Sequence, residues 1–176
     1  MRIMLNGGHF PGADPGAVGA RVTEAEICRL LMELTAVRLR NCGFEVLTLQ
    51  SDDLEAVCEA SNAFASDIFI SVHCNAAQNR AAHGTEVYAM SDAGSLLAEH
   101  IRGRLCEIDD LSDRGVKDGS WLYVLKATEA VAVLVETAFI SNFDDETLLI
   151  DKPNEFAAAI CEGVCDYIVE RRHLGG

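Results

Sequence analysis

Apolar positions along the chain fall into two rhythms. Compact, mostly apolar runs recur at Arg2–Leu5, Phe44–Leu49, Ile68–Val72, Gly84–Tyr88, Trp121–Leu125 and Ala130–Val135. Between them lie longer stretches whose apolar residues return every third or fourth position. These are Glu24–Asn41, Asp52–Phe64, Gly94–Cys106, Phe143–Ile150 and Pro153–Arg172. The first rhythm predicts strands and the second predicts helices. Ile68–Val72 is near-continuously apolar, as expected of a strand buried on both faces.

Local signals sharpen the first helix. Thr23 followed by Glu26 forms a capping box, which places its start. Ile27, Leu30, Leu31, Leu34 and Val37, with the aliphatic stem of Arg38, supply its apolar stripe. Cys42–Gly43 ends it. Strand and helix alternate with short connections. That order predicts a single α/β domain over residues 1–172, with a mostly parallel, twisted sheet of about six strands and helices on both faces. His173–Gly176 reads as a frayed tail.

Composition narrows the class. The 176 residues are 49% hydrophobic and 24% charged, enough to bury a core without staples. The net charge of −14 argues against a nucleic-acid partner and against electrostatic attraction to anionic membranes. No apolar run approaches the roughly 18–20 residues that cross a bilayer. The opening MRIMLNGGH enters a strand and a glycine-rich loop at once, so no secretory signal is expected. Seven cysteines, odd in number and without a C-x-x-C pair, read as small buried thiols of a reducing compartment.

The candidate chemistry sits in separated patches. His9 lies in the loop after the first strand and Glu24 opens the first helix. His73 follows the Ile68–Val72 strand, and Glu136 follows Ala130–Val135. Sites in open α/β sheets form at the carboxyl ends of strands, so these four positions converge on one rim. Two imidazoles and a carboxylate complete the protein ligand set of a catalytic zinc, with a spare glutamate as general base. Each residue also has a plainer reading. His9 fits a surface loop, Glu24 a helix-dipole acid, and His73 a hydrogen-bonded core histidine. Glu136 fits a turn cap or a partner of Arg114. Cys74 follows His73 on a strand and so points to the opposite face. His83 and His100 read as solvated. Asn75, Arg114 (in the loop-like DRGVKDG) and Asn142 are candidate substrate contacts, and Asn142 alternatively pins the loop after Glu136.

Taken in order, the patches GGHFPGADPGAVG, Glu24, Ser61–Asn62, DIFISVHCNA, Gly84–Tyr88, Arg114–Lys117 and VLVETAFISN resemble the zinc-dependent N-acetylmuramoyl-L-alanine amidases of the amidase type 3 family. The resemblance spans about Arg2 to Ile168. It implies a Zn2+ ion held by His9, Glu24 and His73, with Glu136 as catalytic acid/base. It also implies cleavage of the amide between the lactyl group of N-acetylmuramic acid and L-alanine. The implied partner is peptidoglycan, and a monomer is expected that accumulates in the cytoplasm or is released to the wall. Alternatives are another zinc amidohydrolase, such as a carboxypeptidase on wall peptides, and a non-catalytic peptidoglycan-binding relic. Four positions depart from the pattern. Asn6 stands where an aspartate is usual, Leu49–Gln50 where Thr-Arg is usual, and Val57 where an arginine is common. Asn6 therefore offers no carboxylate to orient the ligands.

Overall fold

The computed structural model describes residues 1–174. Six strands form one sheet: β1 (Arg2–Gly7), β2 (Glu45–Gln50), β3 (Ile68–Asn75), β4 (Thr85–Ala89), β5 (Asp113–Asp118) and β6 (Val131–Phe139). The helices are α1 (Glu24–Asn41), α2 (Leu54–Ala63), α3 (Asp92–Leu105), α4 (Tyr123–Ala127), α5 (Phe143–Asp151) and α6 (Pro153–Leu174). The strand order is β2-β1-β3-β6-β4-β5. The first four strands in that order are mutually parallel. β4 runs antiparallel to β6, and β5 runs parallel to β4.

α1 starts at the expected capping box. The Thr23 hydroxyl accepts from the Glu26 amide, and the Glu26 carboxylate accepts from the Thr23 amide at 2.9 Å. Gly43, at φ +85°, supplies the left-handed turn that stops it. Its buried face differs from the expected stripe. Ala25, Cys28, Met32 and Ala36 pack inward beside Ile27, Leu31 and Leu39, whereas Leu30 and Val37 face solvent. Close approach to the sheet selects small side chains along the contact line, so bulk alone misassigned the face.

Successive strand residues face opposite sides. Ile3, Leu5, Ile70, Val72, Val133 and Val135 pack with residues of α1, α3 and α6. Met4, Phe69 and Leu134 pack with Val57 of α2 and with Val124 and Leu125 of α4. Helices therefore cover both faces, as expected. By the same alternation, Asn6, Ser71, His73 and Glu136 continue the Met4–Phe69–Leu134 face toward the strands' carboxyl ends.

Two expectations fail in the stretch of chain between β4 and β6. Trp121–Leu125 is not a strand; Tyr123–Ala127 is a five-residue helix with Val124 and Leu125 buried. A short apolar run has no periodicity that separates the two states. DRGVKDG is not a loop, because Asp113–Asp118 forms edge strand β5. Its charges and Gly115 hid it, yet charged residues suit an edge that must not recruit further strands. The predicted strand count thus held while one member was exchanged. α6 continues through Leu174, so His173 is helical; residues 175–176 of the expected tail lie outside the described residues. Among the described residues no helix is long and apolar enough to cross a membrane.

The buried Asp145 ties three segments together. Its Oδ2 accepts from the Gly84 amide at 2.7 Å before β4 and from the Phe139 amide at 2.8 Å at the end of β6, while Asp145 itself sits in the first turn of α5. Asp145→Ala strands two buried N–H groups and is predicted to lower stability by about 3 kcal/mol. Chemical denaturation measures this, and a loss below about 1 kcal/mol would contradict it.

Candidate metal centre and active site

The loop after β1 is shaped to place His9. Gly8 donates its amide to the Val72 carbonyl at 2.9 Å, which carries the chain across the end of β3. A Cβ on Gly8 would stand 2.3 Å from the His73 ring, so only glycine passes there. His9 itself adopts φ +59°, a left-handed conformation costly for a residue with a Cβ. Phe10 and Asp14 then pair across a tight turn, which returns the Asp14 carboxylate to His9. Gly16, at φ +64°, passes close to both Glu24 and His9; a Cβ there would lie 2.6 Å from each.

Glu24 stands at the centre. One carboxylate oxygen lies 3.2 Å from His9 Nε2 and accepts from the Ala17 amide at 2.9 Å. The other lies 3.0 Å from His73 Nδ1 and accepts from the Cys74 amide at 3.1 Å. The two imidazoles meet edge to face, with centroids 5.3 Å apart. One donor atom from each of His9, Glu24 and His73 lies within 4.8 Å of the others. Burial alone would raise the Glu24 pKa, but the hydrogen bonds with His73 and His9 outweigh it and hold the carboxyl well below its usual range. The hydrogen bond with Glu24 raises His9 to about 9, against the effect of burial and with help from Asp14.

Glu136 is the register neighbour of His73 across β3 and β6, and of Glu86 across β4 and β6. Its Oε2 is buried without a hydrogen-bond partner. Burial, followed by the negative charges of Glu24 and Glu86, pushes its pKa up to about 8, with His9 opposing. The four predicted residues therefore gather on one rim. Glu136 does not pair with Arg114, whose guanidinium lies 2.8 Å from Glu86 and 4.7 Å from the Phe139 ring centroid.

The remaining candidates divide. Asn75 donates to Glu86 at 2.7 Å, which brings it and Arg114 to one carboxylate beside Glu136. Asn142 caps α5, its oxygen accepting from the Asp144 and Asp145 amides and its nitrogen donating to the Arg80 carbonyl. Of its two readings, the geometry gives the one that pins the loop after β6. Cys74 points away toward Thr137, His83 is exposed, and His100 pairs with Glu170 at 2.6 Å.

Sequence reasoning left two acids unassigned. Asp14 Oδ2 lies 2.6 Å from His9 Nδ1 and orients the ring. It supplies from the DPG turn the orienting carboxylate that Asn6 lacks, while Asn6 spends its amide on the Gly7 and Leu49 carbonyls. Glu86 is buried and gathers Asn75, Tyr88 and Arg114. An acid between Thr85 and Val87 in a predicted strand was the available signal. Gln50, a departure from the family pattern, donates to the Gly8 and Ala25 carbonyls and braces the loop against α1.

The donor set fits a divalent cation, since two imidazole nitrogens and one carboxylate are already turned toward one another. Residues 3–166 match the family described as N-acetylmuramoyl-L-alanine amidase. The chain belongs to this family. It is 32% identical over 175 residues to the N-acetylmuramoyl-L-alanine amidase LytC of Bacillus subtilis strain 168, covering 94% of this chain and 35% of LytC. It is 32% identical over 185 residues to the endolysin of Bacillus phage SPP1, covering 98% of this chain and 66% of the endolysin. The fold superposes on the N-acetylmuramoyl-L-alanine amidase AmiC2 of Nostoc punctiforme with a TM-score of 0.90 and 26% identity, covering 96% of this chain and 97% of that one. The chain thus matches the extent of the AmiC2 structure but spans only about a third of LytC.

Two predictions follow from this geometry. Asp14→Asn keeps the shape and removes the charge behind His9, and is expected to weaken divalent-cation affinity roughly 10–100-fold by competition titration; unchanged affinity would remove Asp14 from that role. The second concerns pH. Without metal, the His9–Glu24 pair stabilises fully between the ordinary values of 4.5 and 6.5, and His9's share is lost as pH rises through about 9. Cation binding has the opposite sign, because His9 must shed its proton to ligate. The melting-temperature gain on adding the cation should therefore be larger at pH 8 than at pH 6. An equal or larger gain at pH 6 would refute the assignment of His9.

Proposed function

We propose that this chain is a zinc-dependent hydrolase of peptidoglycan that cleaves the amide between N-acetylmuramic acid and L-alanine. His9, Glu24 and His73 would hold the zinc, and Glu136 would act as general base and then general acid. The observation that carries this reading is the pairing of a three-donor cluster with an unpartnered buried carboxylate on the neighbouring strand. The family supports the bond and the substrate.

Zinc, when bound, polarises the amide carbonyl and makes water acidic enough to attack near neutral pH. Glu24 and the two imidazoles keep one side of the site filled with protein donors. Asp14 holds His9 in the tautomer that leaves Nε2 free to ligate. Glu136 has no competing hydrogen bond, so Oε2 is available to take a proton from the attacking water. Burial and the charges of Glu24 and Glu86 favour the protonated form of Glu136, and a cation held by His9, Glu24 and His73 would offset part of the Glu24 charge and so favour the working base. Glu136 then passes that proton to the departing L-alanine nitrogen, so the amine leaves neutral. Arg114 and Asn75, collected at Glu86, would orient the substrate beside Glu136.

Glu136→Gln is expected to bind zinc normally and lose at least about 100-fold in turnover on purified peptidoglycan, read as new L-alanine amino termini. Near-normal turnover would end the role of Glu136. His73→Ala should lose both zinc and activity; a variant that still binds one zinc at the cluster would contradict the ligand assignment. If neither zinc nor chelator changes activity, the metal reading itself fails.

A further inference from the structure

Away from the amidase site, the described residues bring three thiols together. Cys42 caps α1, and Cys161 and Cys165 stand four positions apart on α6, hence on one face of that helix. One sulfur from each lies within 4.8 Å of the others, and Cys42 Sγ is 4.0 Å from Cys161 Sγ. All three thiols are free. We propose that Cys42, Cys161 and Cys165 form a second metal site, selective for a thiophilic d10 cation such as Zn(II), Cd(II) or Cu(I).

The spacing suits this chemistry. Thiolates bound tetrahedrally at ~2.3 Å from zinc sit ~3.8 Å from one another, so the cluster closes with shifts on the order of 1 Å. Packing alone does not account for it. Cys161 is buried, but Cys42 is exposed and contributes little to a core. Cys42 and Cys161 line a surface cavity of about 270 Å³ together with Arg38, Asn41, Ala158 and Glu162. That opening gives a cation a route in. It also leaves room for water as a fourth ligand.

A thiol–disulfide relay is the competing use of such a cluster. Burial, reinforced by Cys42 and Cys165, pushes Cys161 up to about 12, and burial also raises Cys165. Protonated thiols neither exchange with disulfides nor ligate a metal until their protons leave, so the raised pKa bears on both uses alike. A cation supplies the positive charge that releases their protons. The chain's net charge of −14 favours cation arrival. Glu24 and Cys42 lie at opposite ends of α1, ~27 Å apart along its axis, so the two sites act independently. A cation here would fasten the end of α1 to the middle of α6.

The test is titration of the fully reduced protein with Cd(II), following ultraviolet thiolate-to-cadmium charge transfer. The wild type should develop the band with a stoichiometry of one. His73→Ala, with the amidase cluster broken, should develop the same band. Cys42→Ser, at an exposed position, should lose at least 10-fold in Cd(II) affinity while keeping wild-type fold and amidase activity. Cys161→Ser should lose the band as well. No band in the wild type, an unchanged band in Cys42→Ser, or rapid formation of a Cys42–Cys161 disulfide in place of metal uptake would each overturn the proposal. Failure of the amidase reading would leave this band untouched.

Discussion

The buried carboxylate of Glu24 is the interaction around which the active rim is arranged. A charge removed from water must be paired and hydrogen-bonded. Glu24 meets that demand with four partners drawn from two segments: His9 and the Ala17 amide from the loop after β1, and the His73 ring and Cys74 amide from β3. The first residue of α1 thereby joins the glycine-rich loop to the central strand. Removing any one partner leaves the rest around an incompletely satisfied charge.

This concentration of partners sets steric terms for the surrounding backbone. Gly8 and Gly16 pass so near the His73 ring, the His9 ring and Glu24 that a methyl group has no room at either. His9 adopts a left-handed conformation to present Nε2 inward while Nδ1 turns out to Asp14. Strain of this kind persists only where neighbours over-determine it. Here Asp14, Glu24 and the Phe10–Asp14 pairing do so.

Two glutamates on the same rim are driven in opposite directions by their surroundings. Glu24 is hydrogen-bonded on both oxygens and stays ionised. Glu136 is buried, leaves Oε2 unpartnered and faces the fields of Glu24 and Glu86, so it holds a proton more tightly. Divergent environments of this kind separate ligand from acid/base among chemically identical side chains. Glu86, the register neighbour of Glu136, takes part in this by repelling charge on Glu136 while it organises Asn75, Tyr88 and Arg114.

The sequence by itself determined the parallel half of the sheet, the start of α1 and the four residues at the rim. Those features rest on local signals: near-continuous apolar runs, a capping box, and polar residues placed after apolar runs or at a helix start. Tertiary structure decided what depends on contacts distant along the chain. β5 exists because the backbone of β4 offers it hydrogen bonds, and not because Asp113–Asp118 has a strand-like pattern. Val124 and Leu125 are helical because α2 and the sheet leave a space of that shape. The inner face of α1 was chosen by the closeness of the sheet. Asp14 and Glu86 gained their roles only when a turn and an antiparallel pairing carried them to His9 and Glu136. The meeting of Cys42 with Cys161 and Cys165, 119 positions apart at its shortest, has no local signature at all.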